Sequence, residues 1–327
     1  MKRFFLLCLG LWLATFALPL VCLGGERAIL PTPQVQEEEA IDANTTVTVL
    51  RDGVVEEMSL ETYLQGVVAA EMPALFPEEA LKAQAVAART YTMKRAAEEA
   101  DASHKGAMVC ANPDHCKAYQ PISSFAAHWG TSGESYTEKI QKAVHDTDGE
   151  ILLYENQPIS AVFHSSSDGK TERAADVWGR DVPYLQSVET VGDDAAPNFE
   201  STVTVPKETF IAKVKETYRN ADFSSAPKTW FSDFVRSDAG GVKTVCVGGV
   251  NISGRDLRVM FGLRSTHFTV DVDESNITFA TRGYGHGVGM SQYGAQGLAK
   301  KGMDYRGILA HYYQGATLGK VKIEKQV

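Results

Sequence analysis

The feature that most constrains this chain is an uninterrupted apolar run from Phe4 to about Gly25, preceded by Lys2 and Arg3. About 20 apolar residues suffice to cross a bilayer as a helix. Two cations ahead of the run favour a cytoplasmic N-terminus. A cleaved signal peptide starts the same way, but needs a shorter apolar region and a small-x-small cleavage site. No Ala-x-Ala pattern is present, and Val21 is larger than a lipoprotein site before Cys22 usually accepts. The expectation is an uncleaved, single-pass transmembrane anchor over 1–25, with residues 26–327 outside the cytoplasm. Residues 26–44 read as a tether, since Pro31, Pro33 and Glu37, Glu38 and Glu39 give no apolar periodicity.

The 327 residues carry 32 Lys+Arg against 41 Asp+Glu, a formal charge of −9. With the two anchor cations set aside, the exported part carries −11. No basic excess exists to neutralise phosphates, so no nucleic-acid partner is expected. At 44% hydrophobic and 22% charged residues, the composition is that of a globular protein. Five cysteines are too few for a disulfide-scaffolded fold of this length.

Along the exported part, Thr46–Leu50 alternates like a strand, Asp52-Gly53 supplies a hairpin turn, and Val54–Met58 returns. Ser59 caps a helix that runs to about Met72 and stops before Pro73. A second helix starts near Pro77 and reaches about Glu99, with Ala80, Ala83, Ala87 and Ala88 permitting close neighbours. Residues 101–121 read as loop. Helix then resumes over Glu134–Val144, followed by strands at 150–154 and 159–164. Residues 200–280 read as a smaller inserted subdomain, with helices near 207–219 and 254–261, strands near 233–237 and 242–247, and a hairpin over 267–280. A helix from Ser291 to Lys300 and a last one capped by Asp304 complete the region 45–320. Helices mixed with antiparallel strands, without regular βαβ alternation, predict the α+β class.

Four groups of residues carry chemistry. Glu71 ends an apolar helix, where the helix dipole and apolar surroundings both raise a carboxyl pKa. Such an acid can serve in general acid catalysis, although position alone favours an ordinary solvated glutamate. His104, Cys110, His115 and Cys116 lie within one short loop and form a Cys2His2 donor set suited to tetrahedral zinc. A Cys110–Cys116 disulfide competes; two histidines in the same loop favour metal. Four protein ligands leave no open position, so the ion is expected to be structural. Gly283, Gly285, Gly287 and Gly289 alternate around His286, with Ser291 and Gln292 following. This run suits either a polar ligand or a tight packing turn. Residues 163–171 (Phe-His-Ser-Ser-Ser-Asp-Gly-Lys-Thr) lack a Gly-x-Ser-x-Gly elbow and read as a turn or groove wall. Cys246 reads as a core thiol.

Residues 69–73 (Ala-Ala-Glu-Met-Pro), then 79–91 (Glu-Ala-Leu-Lys-Ala-Gln-Ala-Val-Ala-Ala-Arg-Thr-Tyr), resemble the N-terminal signature of the stage II sporulation protein D family. Residues 283–297 resemble its C-terminal signature, and the resemblance spans about 45–320. It implies a membrane-anchored lytic transglycosylase that acts in endospore engulfment, at the forespore septum, on glycan strands already stripped of stem peptides. It places the catalytic glutamate on Glu71 and likens the Cys2His2 set to a zinc site of some family members. Lys82 and Arg89, one helical face apart, match polar positions of the signature helix and are expected at the groove with His286, Ser291 and Gln292. Trp129, Trp178 and Trp230 are candidates for sugar stacking. The implied partners are the sporulation amidase (stage II sporulation protein P) and the multi-span stage II sporulation protein M. Relatives described as amidase enhancers leave open a glycan-binding activator of a partner amidase. A zinc hydrolase is the third reading.

Overall fold

The computed structural model describes residues 40–98, 101–113 and 115–321. The expected anchor over 1–25 and most of the tether lie outside them. Among the described residues no helix is long and apolar enough to cross a membrane.

A short helix α1 (Ile41–Asn44) leads into β1 (Thr46–Arg51) and β2 (Val54–Ser59), paired antiparallel from Thr46↔Ser59 to Arg51↔Val54. Asp52 and Gly53 both take positive φ, as a two-residue hairpin turn requires. Ser59 then caps α2 (Leu60–Glu71), its Oγ accepting from the Thr62 N–H at 3.2 Å. Leu60, Tyr63, Leu64, Val67 and Val68 are buried, the i, i+3, i+4 stripe of a helix lying on a core.

The next helix, α3 (Glu78–Ala97), is buried on nearly every side. It packs against α2 and against α5 (Gly133–His145) and β4 (Glu150–Tyr154), and later elements close over it. Its alanines explain how so many neighbours approach. Between these elements the loop expected at 101–121 adds a two-residue strand β3 (Val109–Cys110), parallel to β1. It continues into an unanticipated helix α4 (Ile122–His128), none of whose residues is buried; no apolar stripe marks it in the sequence.

Of the strand expected over 159–164 only β6 (Phe163–His164) forms, and β5 (Gln157–Pro158) lies just before that span. The Ala161 and Val162 N–H groups bond back two residues, to Ile159 and Ser160, which turns the chain. A one-and-a-half-turn helix α6 (Ala174–Trp178) follows.

A second hydrophobic cluster is built from residues between Val205 and Phe279. It comprises β7 (Glu200–Pro206), α7 (Lys207–Thr217), β8 (Phe231–Arg236), β9 (Val242–Val247), β10 (Val250–Ser253), α8 (Gly254–Phe261), β11 (Phe268–Val272) and β12 (Asn276–Arg282). These form two antiparallel three-stranded sheets, β10-β9-β8 and β11-β12-β7. Phe210 lies at the centre, its ring 5.1 Å from Phe261 and 6.4 Å from Trp230. Trp230 is therefore a core residue, not a sugar platform. Cys246 is only half-buried: Val245 and Val247 take the core side of β9, and period-two alternation turns Cys246 away.

The chain returns through β13 (Met290–Ser291), parallel to β6, then α9 (Gln292–Lys300), α10 (Tyr305–Tyr312) and β14 (Thr317–Lys320). The glycines before β13 are packing residues: a Cβ on Gly289 would stand 2.2 Å from the Val162 carbonyl oxygen.

Arg89 does not border a groove. It is fully buried in α3, its Nε 2.9 and 2.8 Å from the two Asp42 oxygens. Its remaining N–H groups donate to the carbonyls of Glu150 at 3.1 Å and Val144 at 3.2 Å. One guanidinium thus ties α1, α5 and β4 to the central helix. Lys82 is likewise structural, bridging Glu78 at 3.0 Å and Asp146 at 2.9 Å. Burial pushes the Asp42 carboxyl above its ordinary range, and Arg89 is the main pull downward. Arg89→Met leaves that carboxyl buried and unpaired. It is expected to destabilise the fold by about 3–5 kcal/mol in chemical denaturation, as for other broken buried pairs.

Candidate active site and metal centre

Pro73 ends α2, so Glu71 stands at its last turn, where the Met72 N–H closes onto the Val68 carbonyl at 3.0 Å. Beside it lies a segment far along the chain. The Ala118 N–H donates to Glu71 Oε1 at 2.9 Å. Gly66, about a turn earlier on α2, makes this approach possible: a Cβ there would meet the Tyr119 ring and the Gln120 carbonyl at 2.5 Å. The adjacent Lys117 is buried, with its ammonium 3.6 Å from the Phe163 ring centroid and 4.4 Å from that of Tyr91.

Burial raises the Glu71 carboxyl above the ordinary glutamate range, while the Lys117 charge, the Ala118 N–H and the Gln292 side chain pull it back. Burial in turn pushes Lys117 down to about 8 against the attraction of Glu71. Desolvation therefore dominates, and Glu71 favours its protonated form more than a solvated glutamate does.

Glu71 opens into a groove of about 490 Å³. Its lining includes Phe125 and Trp129, their rings stacked 5.8 Å apart, together with Tyr284, Arg264, Asn198, Gln292 and Tyr293. Glu71 is the one carboxylate among the residues lining it. A larger concavity, about 710 Å³, lies around Arg236, His267 and Arg282. Its acids are paired, Arg282 lying 2.9 Å from Asp168 and pairing also with Glu200, so no free acid faces it.

Of the remaining sequence candidates, Gln292 reaches the groove and also donates to Gln84 of α3 at 3.4 Å. Ser291 does not; it caps α9, accepting from the Gly294 N–H at 3.1 Å, and donates to Asp193. His286 is held between His164 and Trp178, ring centroids 5.6 and 5.3 Å away, and is not among the lining residues. Burial holds it well below the ordinary histidine range. In the serine run, Ser167 Oγ lies 2.6 Å from His164 Nε2, but both side chains are buried and no substrate can reach them. Trp129 is the tryptophan that lines the groove. Tyr284 lies within the glycine run marked by the sequence; Lys117, Ala118 and Arg264 have no such signal. Ala118 acts through its backbone, and Lys117 and Arg264 carry no spacing signature.

The Cys2His2 residues do converge: one donor atom from each of His104, Cys110, His115 and Cys116 lies within 4.8 Å of the others. His104 Nε2 is 3.0 Å from His115 Nδ1, and Cys116 Sγ is 3.3 Å from His104 Nε2 and 3.7 Å from His115 Nδ1. Cys110 Sγ is 3.5 Å from His115 Nδ1. Bonds of about 2.0–2.3 Å to one tetrahedral ion set donors about 3.3–3.8 Å apart, so the set fits a metal ion. Asp101 stands 3.3 Å from the outer nitrogen of His115, as a carboxylate backing a ligand histidine does. Both thiols are free, so the competing disulfide is not formed. The cluster is one loop away from the acid: Cys116 precedes Lys117 and Ala118.

Fold and site together define an α+β protein with a single acid in an aromatic-walled groove and a metal-type cluster behind it. A family model described as stage II sporulation protein matches residues 51–154. Stage II sporulation protein D of Bacillus subtilis is 40% identical over 269 residues, 81% of this chain and 76% of that protein. Its Bacillus amyloliquefaciens counterpart is 39% identical over the same shares. The amidase enhancer of B. subtilis is 32% identical over 78% of this chain and 40% of its own length. The chain belongs to the stage II sporulation protein D family.

A raised carboxyl pKa is a stability statement with a definite sign. The folded state binds the Glu71 proton more tightly than the unfolded chain, so the ionised form destabilises the fold above the unfolded pKa. Glu71→Gln is therefore expected to raise Tm at pH 7. The gain should vanish as pH falls below about 4, where Glu71 is protonated in both states; calorimetry across pH measures it.

Proposed function

We propose that this protein is a peptidoglycan lytic transglycosylase that cuts glycan strands into products with 1,6-anhydro-muramyl ends, with Glu71 as the acid and then the base. The observation that carries the reading is the lone carboxyl of the groove. Ordinary glycosidases flank the scissile bond with two carboxyls, about 5–9.5 Å apart. A lytic cleavage needs only one. Glu71, whose protonated form burial favours, gives its proton to the glycosidic oxygen as the bond to C1 breaks. The resulting carboxylate, supported by the Ala118 N–H and the Lys117 charge, faces the cationic sugar. It then takes the proton from the muramyl C6 hydroxyl, whose oxygen closes onto C1. The proton returns to Glu71 and no water is consumed. The attacking hydroxyl belongs to the same ring, which supplies the advantage of proximity. Trp129, Phe125 and Tyr284 offer faces against which sugar rings pack.

Zinc is the proposed ion of the cluster, held by His104, Cys110, His115 and Cys116. When bound it cross-links the loop, with no open position for water. The loop itself then places Lys117 and Ala118 against Glu71. Family membership supports the rest of the reading: denuded glycan as substrate, action during engulfment from a membrane anchor, and work beside the sporulation amidase and the multi-span stage II sporulation protein M. The relative named as an amidase enhancer favours a second reading, in which the groove binds glycan and activates a partner amidase.

The full-length protein, in detergent and without amidase, is expected to release anhydro-muramyl products from denuded strands, read by mass spectrometry. Glu71→Gln should lower release by about 10³-fold with an unchanged circular dichroism spectrum. No product from the wild type, with stimulation of an added amidase, favours the second reading. Zinc is expected to bind with one-to-one stoichiometry and to shield Cys110 and Cys116 from alkylation; Cys116→Ser should abolish both effects. Zinc-dependent release of hydrolysed ends in place of anhydro-muramyl ends would overturn the structural role.

A further inference from the structure

We propose that Arg264 reads a ligand carboxylate in the Glu71 groove, and that this carboxylate is the lactyl group of a muramyl residue whose peptide has been removed. The inference rests on the glycan reading above and names the residue that selects the substrate.

Arg264 comes from the segment between α8 and β11, and it is the one cation among the groove's lining residues. Its guanidinium stacks on the Tyr284 ring, 3.8 Å from the centroid. One terminal nitrogen reaches the Pro197 carbonyl at a long 3.5 Å. Its Nε is buried and has no hydrogen-bond partner. Several arginines of the described residues are neutralised, among them Arg51 by Glu56, Arg89 by Asp42, Arg282 by Asp168 and Arg306 by Glu150. Arg264 has no such pair among the described residues, in a chain with nine more acidic than basic groups. A guanidinium fixed by a ring and a carbonyl, with donors unused, is preorganised for a planar anion.

The chemistry of the strand supplies one. In intact peptidoglycan the lactyl carboxyl is tied up as a neutral amide with the stem peptide. Hydrolysis of that amide adds water across the C–N bond and frees one carboxylate on the muramyl residue. Arg264 therefore favours stripped over unstripped glycan by charge.

The test uses the full-length chain carrying Glu71→Gln, so that ligand is not consumed. The probes are a tetrasaccharide of alternating N-acetylglucosamine and N-acetylmuramic acid with free lactyl carboxylates, and the same tetrasaccharide with those carboxyls converted to methylamides. Calorimetry should show the acid binding about 10-fold tighter than the methylamide. Adding Arg264→Gln should weaken the acid about 10-fold and leave the methylamide unchanged. Arg264→Lys, which keeps the charge, should retain part of the preference. A preference that survives Arg264→Gln, or equal loss of both probes, overturns the assignment. If the parent binds both probes alike, Arg264 fails and the glycan reading stands; if it binds neither, the glycan reading fails as well.

Discussion

The structure depends on burying a helix that carries a charge at its centre. Helix α3 is surrounded on nearly every side, and its alanines let four helices and three strands approach. A guanidinium in that position is tolerable only if every donor is matched, and Asp42, Val144 and Glu150 match them. These partners come from three different elements. The same interaction that removes an isolated buried charge also fixes how the first helix, the α5–β4 corner and the core helix meet. Helix α2 packs on this platform, and its last residue is the acid of the groove.

The acid is built by a different compromise. Glu71 loses solvation at the end of α2, which raises its pKa, and it regains part of that through one backbone N–H, a buried ammonium and an amide. The two residues that do most of this, Lys117 and Ala118, follow directly on Cys116. Loop shape therefore reaches the acid through two peptide units, so a metal that cross-links the loop need not touch substrate to matter. Arg264, just after α8, and Tyr284 of the glycine loop also line the groove, so segments far apart in the chain contribute to one site.

Much of the local structure was legible because its causes are local. The Asp52-Gly53 hairpin, the Ser59 and Asp304 caps, the Pro73 stop and the 254–261 helix follow from turn chemistry, capping and period. Helix α4 was not legible, because it buries nothing and leaves no stripe. The roles of polar residues on α3 were misread for a related reason. Spacing shows that Lys82 and Arg89 share a face, but whether that face meets a groove or a buried carboxylate depends on Asp42, 47 residues earlier than Arg89.

What the sequence determined by itself was the inventory: an acid at a helix end, four soft donors in one loop, a run of alternate glycines, and the family these compose. What only the tertiary structure decided was which of them meet. Ala118 reaches Glu71 across 47 residues, and Gln292, Arg264 and Tyr284 arrive from much farther along the chain. Such contacts are set by tertiary packing, and a linear pattern carries no record of packing. The glycines show the division most plainly. Their spacing marks a backbone that something approaches closely, and only the fold reveals that the neighbours are the chain's own Val162 and Glu172.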